Sequence, residues 1–437
     1  MQRASMNLVA SNAVRMFVFF AIVISIPLTG MLWAWWADRR LRKLQAAGWK
    51  RAVLAGMVAA NVLGFAWVLL GRMYGWQMQV PLILLVSAFV WHMVVVPVML
   101  LLTMTLLTGE AAVWVRKKLQ SRQVVVEDAA EPGSAPQRHT SVEAMTLSRR
   151  KVLAAGIMGV PVALQAGAVA KAMTQLDEFR IREITVRLPQ LPAGLEGLTI
   201  AHVTDTHVGR FTHGATIETI VARVNALHAD LVLHTGDLIN DSLGDLPLAA
   251  DMMSRFRGRL GTYIVEGNHD LFESRSGFAK GLEARGVRLI ANDAVTLQVG
   301  NDKLQLLGLQ WGPSDVEDIR TSRGRGAMLD EHMASIEKFR DPQAFQVLLA
   351  HHPHAFDNAR ANGVPLTLAG HTHGGQLNLV EGVGAATGSY KYITGLYDRT
   401  DANGDRSACI VGNGTGNWFP LRINAPAEVI KITLARA

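Results

Sequence analysis

The sequence predicts an α/β domain preceded by an all-α transmembrane region. Three observations predict it. Long apolar stretches fill the first part of the chain, composition changes near residue 172, and beyond that point short apolar runs end abruptly in polar clusters. At 437 residues there is room for more than one domain, each with its own core. Before residue 172, 18 Lys and Arg face 6 Asp and Glu, a net of +12; from there on, 25 face 30, a net of −5. The overall +7 therefore belongs to the first part. Its basic residues cluster beside apolar runs, which points to membrane topology rather than to nucleic acid.

Residues 1–121 are expected to hold three transmembrane helices, over roughly 16–37, 52–71 and 80–108. The first two are close to the ~20 residues that a helix needs to span a bilayer. The third is long for one span and contains Pro97, so it reads as one tilted or kinked helix. His92 lies inside it. An intramembrane histidine is a functional candidate by default, but with no visible partner this one reads as a buried, hydrogen-bonded ring. Arg39, Arg40, Arg42, Lys43, Lys50 and Arg51 separate the first two spans; only Arg72 separates the second from the third; Arg116, Lys117, Lys118 and Arg122 follow. The positive-inside rule then places 38–51 and 116–151 in the cytoplasm.

Residues 122–147 are polar and rich in Pro, Ser and Ala, and read as a cytoplasmic linker. At 148–171, Ser148-Arg149-Arg150-Lys151-Val152-Leu153 precedes a modest apolar run and resembles a twin-arginine export signal. A fourth transmembrane helix with basic flanks is the alternative. Either reading carries 172–437 to the outer side of the membrane. Ala166, Ala168 and Ala170 offer a cleavage site. The single Cys409 rules out a disulfide within the chain and a thiolate-rich zinc site; it reads as a small core residue on a strand.

From about residue 177 the pattern is α/β. LTIAHVTDTH (198–207), ADLVLHTGD (229–237), GTYIVEGNHD (261–270), FQVLLAHHPH (345–354) and PLTLAGHTHGG (365–375) each read as a buried strand running into polar residues, and 215–228 reads as a helix. Five candidate ligand clusters thus follow the C-terminal ends of strands, the edge where ligands collect in open α/β sheets. Asp205, His207, Asp237, Asn268, His351, His371 and His373 offer mixed oxygen and imidazole donors. Such a set suits Mn, Fe or Zn better than Ca. Seven donors exceed what one tetrahedral zinc can use and fit two divalent metal ions. Gly236, Gly267 and Gly370 stand beside ligand candidates, where close approach is needed.

DxH at 205–207, GD at 236–237, GNHD at 267–270, the lone His351 and GHTH at 370–373 together resemble the calcineurin-like metallophosphoesterases. The GHTHGGQ form ending at Gln376 resembles a bacterial membrane-associated subgroup. The resemblance implies a four-layer α/β/β/α sandwich and a dinuclear site. Residue by residue, it implies that Asp205, His207 and His373 bind one metal, that Asn268, His351 and His371 bind the other, and that Asp237 bridges. His269 would face the substrate as a proton donor or phosphate contact, and Asp270 would orient its ring. The attacking group would be hydroxide formed from a water shared by the metals. The subgroup often carries acidic residues where this chain has Gln310-Trp311, which leaves pocket shape open.

In LAHHPH, spacing from the strand favours His351 over His352 and His354 as the ligand. His202, His213, His228, His234 and His332 read as structural or solvent-facing. The charged stretch 312–344 reads as a flexible rim, with Arg320, Arg323 and Arg325 available to an anion. Trp418 and Phe419, in a segment resembling the subgroup's closing loop, are candidates for lipid contact. The expectation is therefore a bacterial inner-membrane, multi-pass protein with a periplasmic phosphodiesterase or pyrophosphate hydrolase, acting on a lipid-linked or envelope phosphate ester. Phosphomonoesterase activity is the nearest alternative. A membrane-tethered sensor that binds metal without turnover is the alternative outside enzymes, opposed by a motif set with no position lost. A nuclease is disfavoured by the −5 balance of the second part.

Overall fold

The computed structural model describes residues 24–73, 80–123, 149–176, 178–312, 322–384, 386–400 and 405–437. The start of the first expected span and nearly all of the linker lie outside them. The chain divides into two units, Met1–Lys171 and Ala172–Ala437.

In the first unit, α1 covers 24–43 and α2 covers Gly48–Met73. Then α3 (Leu82–Val90), a π-helical turn (Trp91–Val95) and α4 (Val96–Gln123) follow without a break. The π turn answers Pro97, which has no N–H to donate and whose ring would press on the carbonyl of Met93 four residues back. The expected kink is therefore a widened turn. Helix α5 (Arg149–Leu176) contains Pro161. Among the described residues, Gly48–Val68, Leu82–Lys118 and Arg150–Leu176 are long and apolar enough to cross a membrane.

Polar side chains tie these helices together. Gln165 Nε2 donates to Ser87 Oγ (2.7 Å), to the Ser87 carbonyl (2.9 Å) and to Asn61 Oδ1 (3.3 Å). Ser87 Oγ in turn donates to Asn61 Oδ1 at 3.0 Å. One cluster thus joins α2, α3 and α5. His92 is buried, with Nδ1 2.8 Å from the Ala88 carbonyl, which assigns that nitrogen the proton.

The second unit is built on two six-stranded sheets. The first runs β1 (Phe179–Arg187), β14 (Ala427–Ala435), β2 (Thr199–Val203), β3 (Leu231–His234), β4 (Thr262–Ile264) and β5 (Arg288–Leu289). The second runs β12 (Gly395–Thr400), β13 (Arg406–Val411), β9 (Leu366–Ala369), β8 (Phe345–Leu349), β7 (Asp302–Gly308) and β6 (Asp293–Val299). β2 to β5 are parallel, as are β13, β9, β8 and β7. All five expected strands are present. A hairpin of β10 (Asn378–Val380) and β11 (Val383–Gly384) stands apart from both sheets.

Strand alternation sorts the side chains into layers. Ala201, Val203 and Val232 meet Ile217 and Ile220 of α6 (Ala215–Asn225), Met252 of α7 (Leu246–Ser254) and Phe278 of α8 (Arg275–Glu283). Ile200, Leu231 and Leu233 turn the other way, onto Leu304, Leu306, Val347 and Leu366 of the second sheet. Leu307 and Leu348, on that sheet's outer face, pack against Met333 and Ile336 of α9 (Ser322–Glu337) and Ala355 and Ala359 of α10 (Ala355–Ala361). The result is a four-layer α/β/β/α sandwich. Helix α9 corrects the expectation of a flexible rim over 312–344: Met333 and Ile336 are core residues, so this stretch is anchored from 329 onward. Arg320 and the side chains of Arg323 and Arg325 lie outside the described residues. Cys409 is buried in β13, where burial pushes its thiol up.

Candidate metal centre

Five loops leave the C-terminal ends of β2, β3, β4, β8 and β9, and they bring the ligand candidates together. One oxygen or nitrogen of each residue lies within 4.8 Å of the others in three overlapping groups: Asp205, His207 and His373; His207, Asp237 and His269; Asp237, His351 and His371. Asp237 and His207 link the two ends of the cluster. Asp237 Oδ2 is 3.1 Å from His351 Nε2 and 3.6 Å from His207 Nε2. Asp205 Oδ1 is 3.3 Å from His373 Nε2. His207 Nε2 faces His373 Nε2 at 3.0 Å, and His371 Nδ1 faces His351 Nε2 at 3.2 Å.

Ring nitrogens that confront one another are poor partners when both are unprotonated, and a shared cation resolves the conflict. Asn268 adds to this: its Oδ1 is buried with no hydrogen-bond partner. A buried orphan acceptor is costly unless something occupies it. The donor set therefore fits divalent metal ions on the chain's own geometry.

The backbone is strained to achieve this. Asp205 (φ 49°), His207 (49°), Asp237 (56°), His371 (71°) and His373 (49°) all sit in the left-handed region. Each costs on the order of 1–3 kcal/mol for a side chain of this kind, and such strain gathers at functional sites. Two glycines allow the loops to interlock. A Cβ on Gly267 would collide with the Asp237 carboxylate, and one on Gly370 with Thr204 Oγ1 and Asp205 Oδ2.

Supporting bonds fix the ligands. His351 Nδ1 lies 2.7 Å from the Thr235 carbonyl, which leaves Nε2 for the centre. Asp205 accepts from the His371 amide at 3.0 Å and from Thr204 Oγ1 at 2.6 Å. Burial opposes charge on His351, but Asp237 and Asp205 outweigh it and raise the ring to about 9. Burial raises the Asp205 carboxyl to about 6 even though His351 pulls it down. Asp237 is also buried, yet His351 beside it holds its carboxyl well below the ordinary range. Burial holds His207, His371 and His373 well below the usual imidazole range, so they stay neutral.

Asp270 corrects an expectation. It does not touch the His269 ring. Its Oδ1 accepts from the amides of Leu238 (2.8 Å) and Ile239 (3.0 Å), and its Oδ2 from those of Asp237 and Gly267 (both 2.9 Å). Four amides saturate a carboxylate, so none of it remains for the imidazole. The His269 ring is instead held at Nδ1 by the Asn240 carbonyl. Its backbone amide donates to Asp237 Oδ1 at 2.8 Å, and its ring stands 4.5 Å from that of His207.

Three contributors escaped the sequence reading. Asn240 is one. Arg422 is another: fully buried, it donates to the Asn413, Gly416 and Ala425 carbonyls and to Asn417 Oδ1, with Nη2 3.4 Å from His373 Nδ1. Its only sequence signal was an arginine set in an apolar run, FPLRINAP, which has to be buried with partners. Tyr390 is the third, with its hydroxyl 3.3 Å from His371 Nε2. Trp311 covers the rings of His351, His352 and His371 at 5.0–5.7 Å, an aromatic wall that gives this side of the pocket its shape. Trp418 lies on the rim, 6.0 Å from His269, and its indole donates to Gln376 Oε1. His202 bonds Thr235 and His234 bonds Thr206 inside the fold, and His332 bonds Asn292 and the Gly312 carbonyl.

Comparison with known proteins agrees with this picture. Residues 198–375 match the family model described as calcineurin-like phosphoesterase. A Danio rerio protein named "Transmembrane protein with metallophosphoesterase domain" is 28% identical over 268 residues, covering 59% of this chain and 58% of that protein. An uncharacterized metallophosphoesterase of Campylobacter jejuni is 26% identical, covering 58% of this chain and 63% of its own length. The chain thus spans about three fifths of these relatives. A solved Thermus thermophilus structure aligns over 51% of this chain and 90% of its own, with 11% identity and a TM-score of 0.35. The strand-end motifs, the four-layer sandwich and the matched span lead to one conclusion: residues 198–375 of this chain form a calcineurin-like phosphoesterase domain.

Proposed function

We propose that the second unit hydrolyses phosphate esters with two divalent metal ions, Mn, Fe or Zn. The observation that carries this reading is Asp237, whose one carboxylate reaches both the His207 and the His351 ends of a single buried cluster. Asp205, His207 and His373 would hold one ion and Asn268, His351 and His371 the other, with Asp237 between. Bound ions would supply an acidified water and neutralise phosphoryl oxygens.

The chain's own part is positioning. With Nδ1–H donated to the Asn240 carbonyl, His269 keeps Nε2 for the site; as the imidazolium it would donate Nε2–H to the phosphate or pass that proton to the leaving oxygen, ending as the neutral ring. Trp311 and Trp418 wall the site and limit water. The membrane helices favour a diester or pyrophosphate borne by a lipid or envelope metabolite. The Lys and Arg of 38–51 and 116–118 favour a phosphoesterase on the outer side of a bacterial inner membrane. Arg149-Arg150 at the start of α5 favours twin-arginine export, and replacing both by lysine should then deplete the outer-side protein.

The test uses the full chain in detergent, stripped of metal and reloaded with Mn²⁺, Fe²⁺ or Zn²⁺ separately. Cleavage of bis-p-nitrophenyl phosphate should depend on metal, exceed that of p-nitrophenyl phosphate, and vanish in Asp237→Asn. Preference for the monoester would favour a phosphomonoesterase. Metal bound with no turnover of either ester would favour a sensor, and no metal bound would sink the site.

A further inference from the structure

Outside the metal centre, the β10–β11 hairpin breaks an ordinary rule of surfaces. Leu379 is 85% exposed, the most of any large apolar side chain among the described residues, with Val380 at 61% and Val383 at 50%. Val380 and Val383 are a cross-strand pair, and Leu379 is the extra residue where the register shifts between the hairpin's two pairs. The tip of the hairpin therefore carries three neighbouring exposed apolar side chains. A soluble surface gains nothing from such a tip, and contiguous apolar exposure marks a contact surface.

The root of the hairpin indicates what covers it. Asn424 Nδ2 donates to the carbonyls of Asn378 (3.0 Å) and Leu379 (2.8 Å), clamping β10. The Asn424 amide donates to Gln175 Oε1 at 2.5 Å, and Gln175 lies in the last turn of α5. At the turn of the hairpin, Glu381 is ion-paired with Arg180 and Arg182 of β1, four and six residues beyond the end of that helix. The hairpin is thus tied at two points to the stretch where the chain leaves α5, and Arg150–Leu176 is a helix fit to cross a membrane.

We propose that this hairpin is a membrane-inserting foot, with Leu379, Val380 and Val383 in the outer part of a lipid bilayer. The foot is joined to the metal centre. Gln376, three residues after His373, holds the Trp418 indole, and Leu377 bridges to Ile423. Insertion would hold the rim of the site at the lipid surface. The proposal concerns lipid contact alone and does not depend on turnover.

The test is full-length Leu379→Cys in nanodiscs, labelled with a polarity-sensitive maleimide fluorophore. The native Cys409 is fully buried, and unmutated chain serves as the labelling blank. Leu248→Cys, on the exposed side of α7, is the water-facing control, and Val383→Cys is a second site in case the first variant fails to fold. Lipids carrying a nitroxide just below the headgroup should quench the label at 379 or 383 at least about twofold more than the label at 248, since surface-bound segments insert to roughly 5–10 Å. Equal quenching at all positions would overturn the proposal. Quenching that appears only in discs holding two labelled chains would overturn it in favour of a contact between copies.

Discussion

At the scale of single residues, Asp270 and His269 divide their labour differently from what adjacency in GNHD suggests. Each Asp270 oxygen accepts two amides, so an Asp270→Asn change must aim an NH₂ group at two N–H donors. We expect a loss of about 2–4 kcal/mol of stability, since an unsatisfied buried donor pair faces a lost charge-assisted network. Thermal unfolding in detergent would measure it; an unchanged midpoint would refute the bracing role. His269→Ala should lower turnover by about 10²-fold or more while metal content stays the same, the cost of losing a donor aimed at developing charge. Metal analysis beside kinetics separates that outcome from simple loss of the site. His351 sets a pH dependence. Its ring, raised to about 9 by Asp237 and Asp205, is protonated at pH 7 before metal binds and must be neutral afterwards. Loading at pH 7 should therefore release a proton, and metal affinity should rise as pH climbs toward 9. Calorimetry in buffers of different ionisation enthalpy would show the release; affinity that fell with rising pH over this range would contradict it.

At the scale of elements, the strands were legible because each buried run is short, apolar and cut off by Gly, Asp or His. Helix α6 was legible as well. Helix α9 was not: residues 322–337 are rich in charge and small residues, and only the sheet beneath gives Met333 and Ile336 a surface to pack on. The widened turn at Trp91–Val95 was half legible, since Pro97 announces a disturbance but not its form. The Asn61–Ser87–Gln165 cluster was invisible in sequence, because it joins helices about 26 and 78 positions apart. Gln165→Leu should cost about 0.5–2 kcal/mol, as hydrogen bonds between membrane helices do. Ser87 and Asn61 would still bond each other, which keeps the loss modest. Titration with a denaturing detergent would detect the shift, and a stabilised variant would show that the cluster is not a tie.

At the scale of the whole molecule, stability and metal should be coupled in the second unit. Binding only to the folded state adds RT ln(1 + [L]/Kd), so a hundredfold excess over Kd is worth about 2.7 kcal/mol. Chelation should lower the unfolding temperature of the phosphoesterase unit, and adding metal back should restore it. An unfolding temperature indifferent to chelator would mean that the cluster is closed by protons alone. The sequence by itself determined the membrane-spanning character of the first part, the strands of the second and the chemical identity of the donors, since all three are written in local runs of side chains. Only the tertiary structure decided which groups meet. Asn240 rather than Asp270 holds His269, Arg422 comes under His373 from 49 positions away, and a hairpin of exposed Leu and Val is tied beside the last turn of α5. Those pairings are long-range, fixed by the closure of two sheets against each other, and local pattern carries no record of them.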